Sequence, residues 1–220
     1  MELEAVVFDL DGVLIETEQV WDEVRERYVA ERGGRWGPRA TTDMMGMSSP
    51  EWSRYIAEEL GVALDPAVVG REVLARMAAR LAEAVPVVDG AVEVVRTVAG
   101  RWPLGLASSS NRPLIDLVLD RLGLAGSFRV TVSSEEVARG KPAPDVYLAA
   151  ADRLGVAPAA CAAVEDSGNG LRSATAAGMR VVAVPNRRFP PAPELLAAAD
   201  AIVADLPELP ATLARLAAEA

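Results

Sequence analysis

Val6-Val7-Phe8-Asp9-Leu10-Asp11-Gly12 passes directly from unbroken hydrophobicity to a pair of acids. A short apolar run stops at two carboxylates and a glycine, which is how a buried strand delivers acids to the edge of a sheet. Asp-Gly is also a common turn dipeptide, so the segment alone is equally compatible with a turn that happens to be acidic. The residues just after the other apolar runs decide between the two.

Residues 4–9 make the first strand. From Thr17 the periodicity becomes helical, with Val20, Val24 and Tyr28 four residues apart beside Trp21, until Gly33-Gly34 ends it. A loop through Gly37-Pro38 and Gly46 leads to a second helix, with Ser49 as its N-cap, Pro50 in the first turn, and Trp52, Ile56 and Leu60 on one stripe. Asp65-Pro66 opens a third, carrying Val69, Val73, Met77, Leu81 and Val85. After Pro86 short β-rich runs at 104–107, 128–132, 160–164, 181–184 and 201–203 alternate with helical stretches that end at Gly100, Gly123, Gly155 and Gly178. That alternation predicts an α/β fold, a doubly wound parallel sheet with helices on both faces. The first strand has no other sheet to join. Residues 1–16 and 86–220 are therefore expected to form one α/β core, with 17–85 an all-helical domain inserted after the first strand.

The bulk properties narrow the chemistry. The chain has 220 residues, 51% of them hydrophobic, enough to bury a sizeable core. No apolar run approaches the roughly 18 residues of a membrane span, and Met1-Glu2-Leu3-Glu4 lacks the basic region of a signal peptide, so the expectation is a cytoplasmic protein with no membrane partner. The single cysteine, Cys161, cannot form an internal disulfide, which agrees with a reducing compartment. With no histidine in the chain, a Ser-His-Asp triad, a Cys-His pair and the usual zinc sites are excluded. Proton transfer falls to carboxylates or lysine. A net charge of -10 argues against nucleic acid as a partner. Of the 22 basic residues only Lys141 is a lysine, which singles it out as a place where a compact ammonium serves better than a planar guanidinium.

In open α/β sheets the ligand site lies beyond the carboxyl ends of the strands. There the sequence places Asp9 and Asp11 after the first strand, Ser108 after the second, and Glu165-Asp166 after the run at 160–164. Four carboxylates on one rim repel one another unless a cation sits among them, and hard oxygen donors in that number suit Mg²⁺. Helix capping is the competing reading of Glu165-Asp166, because Ser167-Gly168-Asn169-Gly170 opens a helix. Lys141 lies in Gly140-Lys141-Pro142-Ala143-Pro144-Asp145, which is no Walker loop, since proline stands where Ser or Thr is required. Nor is Gly168-Asn169-Gly170 a dinucleotide fingerprint, because Ser173 replaces the third glycine. Acids, a hydroxyl and one ammonium point to phosphoryl transfer, where positioning and charge neutralisation do most of the work. One carboxylate can attack phosphorus while a second protonates the leaving oxygen and then activates water, roles that Asp9 and Asp11 would divide.

Phe8-Asp9-Leu10-Asp11-Gly12-Val13-Leu14, Leu106-Ala107-Ser108-Ser109-Ser110, Gly140-Lys141-Pro142-Ala143-Pro144-Asp145 and Val164-Glu165-Asp166-Ser167 resemble, in order, the four motifs of the haloacid dehalogenase superfamily. The insertion at 17–85 resembles the helical cap of the branch containing β-phosphoglucomutase and many small phosphatases. The resemblance implies Asp9 as nucleophile, Asp11 as acid/base, and Ser108 and Lys141 as holders of the phosphoryl group. It implies Mg²⁺ on the Asp9 carboxylate, the Asp11 carbonyl and Asp166, with Glu165 as ligand or neighbour. Ser109, Asn111, Gly46 and Arg54 join Ser108 and Lys141 as candidate substrate contacts. Arg25, Arg76 and Arg80 are further cap arginines that could meet an anionic group, solvated helix faces being the alternative.

The second aspartate favours a phosphatase over a dehalogenase. Mutases of the branch carry an arginine where this chain has Ser49 and a histidine near Trp21, which favours a phosphatase of a small phosphorylated metabolite over a sugar phosphomutase. A receiver-like phosphoaspartate signalling module shares the acids, hydroxyl and lysine, but is shorter and has no insertion after the first strand. The expected oligomeric state is a monomer or weak homo-oligomer.

Overall fold

The computed structural model describes residues 2–44, 47–186 and 190–219. Six strands, β1 (Ala5–Phe8), β2 (Leu104–Ser108), β3 (Val130–Ser133), β4 (Cys161–Glu165), β5 (Arg180–Ala183) and β6 (Ala201–Ile202), form one sheet in the order β3-β2-β1-β4-β5-β6. Every adjacent pair is parallel. β1 is central, with Val7 level with Gly105 of β2 and Ala163 of β4. It is buried along its whole length, which is why it reads as an uninterrupted apolar run. The order reverses at β1, so the gap between the carboxyl ends of β1 and β4 is a topological switch point.

The connections are helical: α1 (Glu18–Glu31), α2 (Ala40–Met44), α3 (Ser49–Glu58) and α4 (Pro66–Glu83) lie between β1 and β2, together with α5 (Ala91–Ala99). Then come α6 (Arg112–Leu122), α7 (Asp145–Leu154), α8 (Gly168–Ala176), α9 (Pro193–Ala197) and α10 (Leu209–Ala218). Ala5 and Val7 pack with Tyr147 and Ala150 of α7 and Ala174 of α8 in one core. Val6 and Phe8 alternate to the other face, where the Phe8 ring meets Phe128 edge-on, 6.2 Å between centroids. The chain divides into two compact units, Met1–Glu16 with Pro86–Ala220, and Thr17–Val85. The second has its own core, in which Tyr28, Trp52, Ile56 and Val73 are buried.

Several boundaries differ from the sequence reading. β3 starts at Val130 rather than 128, because a 3₁₀ turn at Ala125–Ser127 delivers Phe128 as a packing residue ahead of the strand. The segment after Gly37-Pro38, read as a loop, contains the short helix α2, whose Ala40 and Met44 are buried four residues apart. The N-cap of α3 is Ser48, not Ser49: Glu51 reaches back three residues and accepts from the Ser48 backbone at 2.7 Å and its hydroxyl at 2.6 Å. Asp65 caps α4 as expected, accepting from Ala67 N at 2.7 Å. Leu60 and Val85, placed on helical stripes by their spacing, fall just beyond the ends of α3 and α4.

Candidate active site

Asp9 leaves the end of β1 with its backbone N–H donating to Val164 O at 3.0 Å, which fixes it beside the end of β4. Its carboxylate is buried, and Oδ1 accepts from Lys141 Nζ at 2.8 Å. The same ammonium donates to Glu165 Oε1 at 2.6 Å. Asp11, two residues on, accepts from Ser110 Oγ at 2.7 Å through Oδ2. Ser108, fully buried at the end of β2, accepts from the Ser110 backbone N–H at 2.9 Å. Gly12 turns the chain at φ 84°, and a Cβ there would overlap the Asp166 carboxylate, so only glycine lets the first loop close over that acid.

Asp166 follows β4 and is buried. Its Oδ2 accepts from Asn186 Nδ2 at 3.3 Å, while Oδ1 is buried without a hydrogen-bond partner. Oxygens of Asp9, Glu165 and Asp166 lie within 4.8 Å of one another. The helix after Glu165-Asp166 is capped by the Ser167 hydroxyl, which accepts from Gly170 N at 3.1 Å, so capping is not what these acids are there for.

Burial pushes Asp9 up to about 7, with Glu165 and Asp11 adding to the rise and Lys141 opposing it. Burial and the charges of Glu165 and Asp9 hold Asp166 well above the ordinary carboxylate range. Burial disfavours the Lys141 ammonium, but Asp9 and Glu165 more than offset it, and the group is raised above its ordinary value. Three buried acids thus share one cation. Their surplus negative charge, the orphaned Asp166 oxygen and an all-oxygen donor set fit a hard divalent cation such as Mg²⁺.

Residues 3–178 match the model of the haloacid dehalogenase-like hydrolases. The chain belongs to that family. Among its relatives, the bifunctional riboflavin kinase/FMN phosphatase of Arabidopsis thaliana is 32% identical over 203 residues, which is 91% of this chain but 53% of that longer protein. The fructose-1-phosphate phosphatase YqaB of Escherichia coli is 34% identical over 188 residues, 81% of this chain and 95% of its own length. A crystal structure of a putative β-phosphoglucomutase from Thermotoga maritima superposes with a TM-score of 0.78 at 29% identity, covering 97% of this chain and all (100%) of that one.

In this hydrolase Asp9, Lys141 and Glu165 are in direct contact, Asp166 lies beside them, and Asp11 is tied through Ser110 to Ser108. Ser109 is exposed next to them. Asn111 is buried at the start of α6, where its Nδ2 donates to Glu135. Arg54 lies on the exposed side of α3 in the helical unit, and Gly46 lies outside the described residues. Arg76 pairs with Glu31 at 2.7 Å and Arg80 is exposed. Arg25 sits over the rings of both Trp21 and Trp52, at 4.5 and 4.8 Å from their centroids, and burial lowers it to about 10. Among the described residues no helix is long and apolar enough to cross a membrane.

Sequence reasoning missed Ser110, Tyr147 and Asn186. Asn186 stands just beyond β5, so the strand-end rule that found the acids reaches it once applied to the fifth strand. Ser110 is in the quoted motif, but only the geometry shows that it is this hydroxyl that meets Asp11. Tyr147 reads as an ordinary apolar position of α7, and nothing in its spacing reveals that its hydroxyl meets Glu165 at 2.9 Å.

Proposed function

We propose that the protein is a Mg²⁺-dependent phosphatase of a small phosphorylated metabolite, working through an aspartyl-phosphate at Asp9. A carboxylate oxygen of Asp9 attacks phosphorus as the ester P–O bond breaks, and Asp11 gives its proton to the departing alkoxide. Water then attacks phosphorus and gives a proton to Asp11, the bond from the Asp9 oxygen to phosphorus breaks, inorganic phosphate leaves, and Asp9 is a carboxylate again. Lys141 balances the charge of Asp9 and, with Ser108, holds the phosphoryl oxygens. The Asp9 carboxylate, the Asp11 carbonyl and Asp166 would hold Mg²⁺, which supplies charge neutralisation to the phosphoryl oxygens when bound. The inserted helical unit, Thr17–Val85, is assigned the role of the substrate-selecting domain.

The observation that carries this reading is the buried Asp9 carboxylate. One of its oxygens is held by Lys141, and Asp9 Oδ2 has no hydrogen-bond partner among the described residues. A nucleophile needs one oxygen that no donor occupies, and Asp9 keeps one while the other is fixed by the ammonium. Asp9→Asn should lower hydrolysis of an aryl phosphate in Mg²⁺ by at least roughly a thousandfold. Retained activity would sink the mechanism.

The structural likeness to a putative β-phosphoglucomutase keeps one second reading, transfer of phosphate between positions of a sugar. Incubation with a hexose 1-phosphate separates them: release of inorganic phosphate supports the hydrolase, and an isomeric phosphosugar supports the mutase.

A further inference from the structure

We infer that Tyr147 is a positioning residue that holds Glu165 as the counter-ion of Lys141, and that Glu165 is for this reason not a metal ligand. The inference rests on the phosphatase reading and goes beyond it, because it gives the two adjacent acids after β4 different tasks.

Both oxygens of Glu165 are already taken. Oε1 accepts from Lys141 Nζ at 2.6 Å and from the Tyr147 hydroxyl at 2.9 Å. Oε2 accepts from the backbone N–H of Asp166 at 3.0 Å, and from the backbone N–H and hydroxyl of Ser167, both at 3.1 Å. Five donors fill the roughly four lone-pair directions of a carboxylate, so a cation could bind Glu165 only by displacing one of them. Asp166, one residue along, has the opposite character, with a buried oxygen that no donor reaches. The cation therefore belongs to Asp166 and Asp9, and the ammonium to Glu165.

The backbone is built around this division. A Cβ on Gly170 would overlap the Glu165 carboxylate, so α8 carries a glycine in its first turn to make room for that side chain. Lys141 and Tyr147 come from one short segment, the turn before α7 and the helix itself, and converge on the same oxygen. Lys141 Nζ also lies 5.0 Å from the Tyr147 ring centroid, so the ring supports the ammonium while the hydroxyl orients its counter-ion. Burial and the Glu165 charge push the phenol well above its ordinary value, which keeps it a donor. Without that hydroxyl, Oε1 keeps Lys141 as its one donor while Oε2 stays anchored, and the ammonium is held less tightly on the line between Glu165 and Asp9.

Tyr147→Phe keeps the ring and removes only the donor. We expect kcat to fall roughly tenfold with KM within about twofold, the loss of a buried hydrogen bond to a charged group. Mn²⁺ affinity of the substrate-free protein, read by titration calorimetry, should stay within about twofold of the parent. Gly170→Ala, which evicts the carboxylate from the other side, should give the same pattern, and Asp166→Asn should lose Mn²⁺ binding. An unchanged kcat in Tyr147→Phe, or a rise in KM alone, overturns the positioning role. A fall in Mn²⁺ affinity matching that of Asp166→Asn overturns the assignment of Glu165 to the lysine. If the parent protein hydrolyses no phosphate ester at all, the phosphatase reading fails instead, and the Mn²⁺ titrations still decide whether Glu165 is a ligand.

Discussion

The strand-end rim and the helical unit use the same charged residue types for opposite purposes. At the rim Asp9, Glu165 and Asp166 are buried and share a single ammonium. In the helical unit Arg27 and Arg76 both pair with Glu31 and Arg32 pairs with Glu72, all of them side chains that water reaches. Exposed pairs of that kind gain little Coulomb energy and lose side-chain freedom, so they mainly keep the surface soluble. The rim's acids are taken out of water without enough positive charge to compensate, which costs stability and is tolerated where binding a cation or a phosphoryl group restores the balance. Charge in this molecule thus marks function where it is buried and unbalanced, and little where it is exposed and paired.

The largest break in that comparison comes at Asp166. Asp166→Asn should reduce Mg²⁺-dependent hydrolysis by roughly a hundredfold or more and raise the Mg²⁺ concentration needed for half activity. If kinetics at increasing Mg²⁺ match the parent, the orphaned oxygen is not the cation's seat. Next is the fold of the helical unit, which the contrast says is held by its core rather than its ion pairs. Ile56, fully buried there, should cost about 2–5 kcal/mol as Ile56→Ala in urea unfolding. Arg27→Gln, which removes an exposed pair, should move Tm by no more than about 1 °C. Equal effects of the two substitutions would contradict the contrast.

The raised Asp9 carboxyl gives the cation effect a definite dependence on pH. Asp9 is raised from 3.8 to about 7, so the metal-free folded protein holds a proton that the unfolded chain has already released in that window. The contribution of Asp9 to stability is therefore full below about pH 4 and is lost as pH rises through 7. Cation binding needs the ionised carboxylate, so added Mg²⁺ should raise Tm more at pH 8 than at pH 5.5. Asp9→Asn should flatten that difference. A Mg²⁺ shift that is the same at both pH values, or larger at the lower, would show that the buried acids are not where the cation binds.

Much of this was legible in the sequence, and the reason is the parallel sheet. A strand buried on both faces reads as a continuous apolar run, and its ligand-facing end is the next residue or two, so Asp9, Asp11, Ser108, Glu165 and Asp166 could be found by position alone. Lys141 stood out because it is the one lysine. The misses were of two kinds. Phe128 and Ser49 misplaced boundaries because local hydrophobicity or a serine can be shared by neighbouring registers, and only the partner residue, Phe8 or Glu51, selects one. Tyr147 was hidden because a tyrosine on an apolar helix face packs its ring like any core residue, and the task of its hydroxyl depends on an acid 18 residues away. The glycines at 12 and 170 read as turn and helix-start residues, whereas each also clears the volume of one specific carboxylate.

The most direct test of the account is chemical trapping at Asp9. The protein is mixed with an aryl phosphate and Mg²⁺, quenched in acid within the first turnovers, and reduced with borohydride before peptide mass spectrometry. An acyl phosphate on Asp9 is expected to appear as homoserine at position 9, absent without Mg²⁺ and absent in Asp9→Asn. Turnover of the substrate with no modification at Asp9, or with the acyl phosphate at Asp11 instead, would contradict the assignment of Asp9 as the nucleophile.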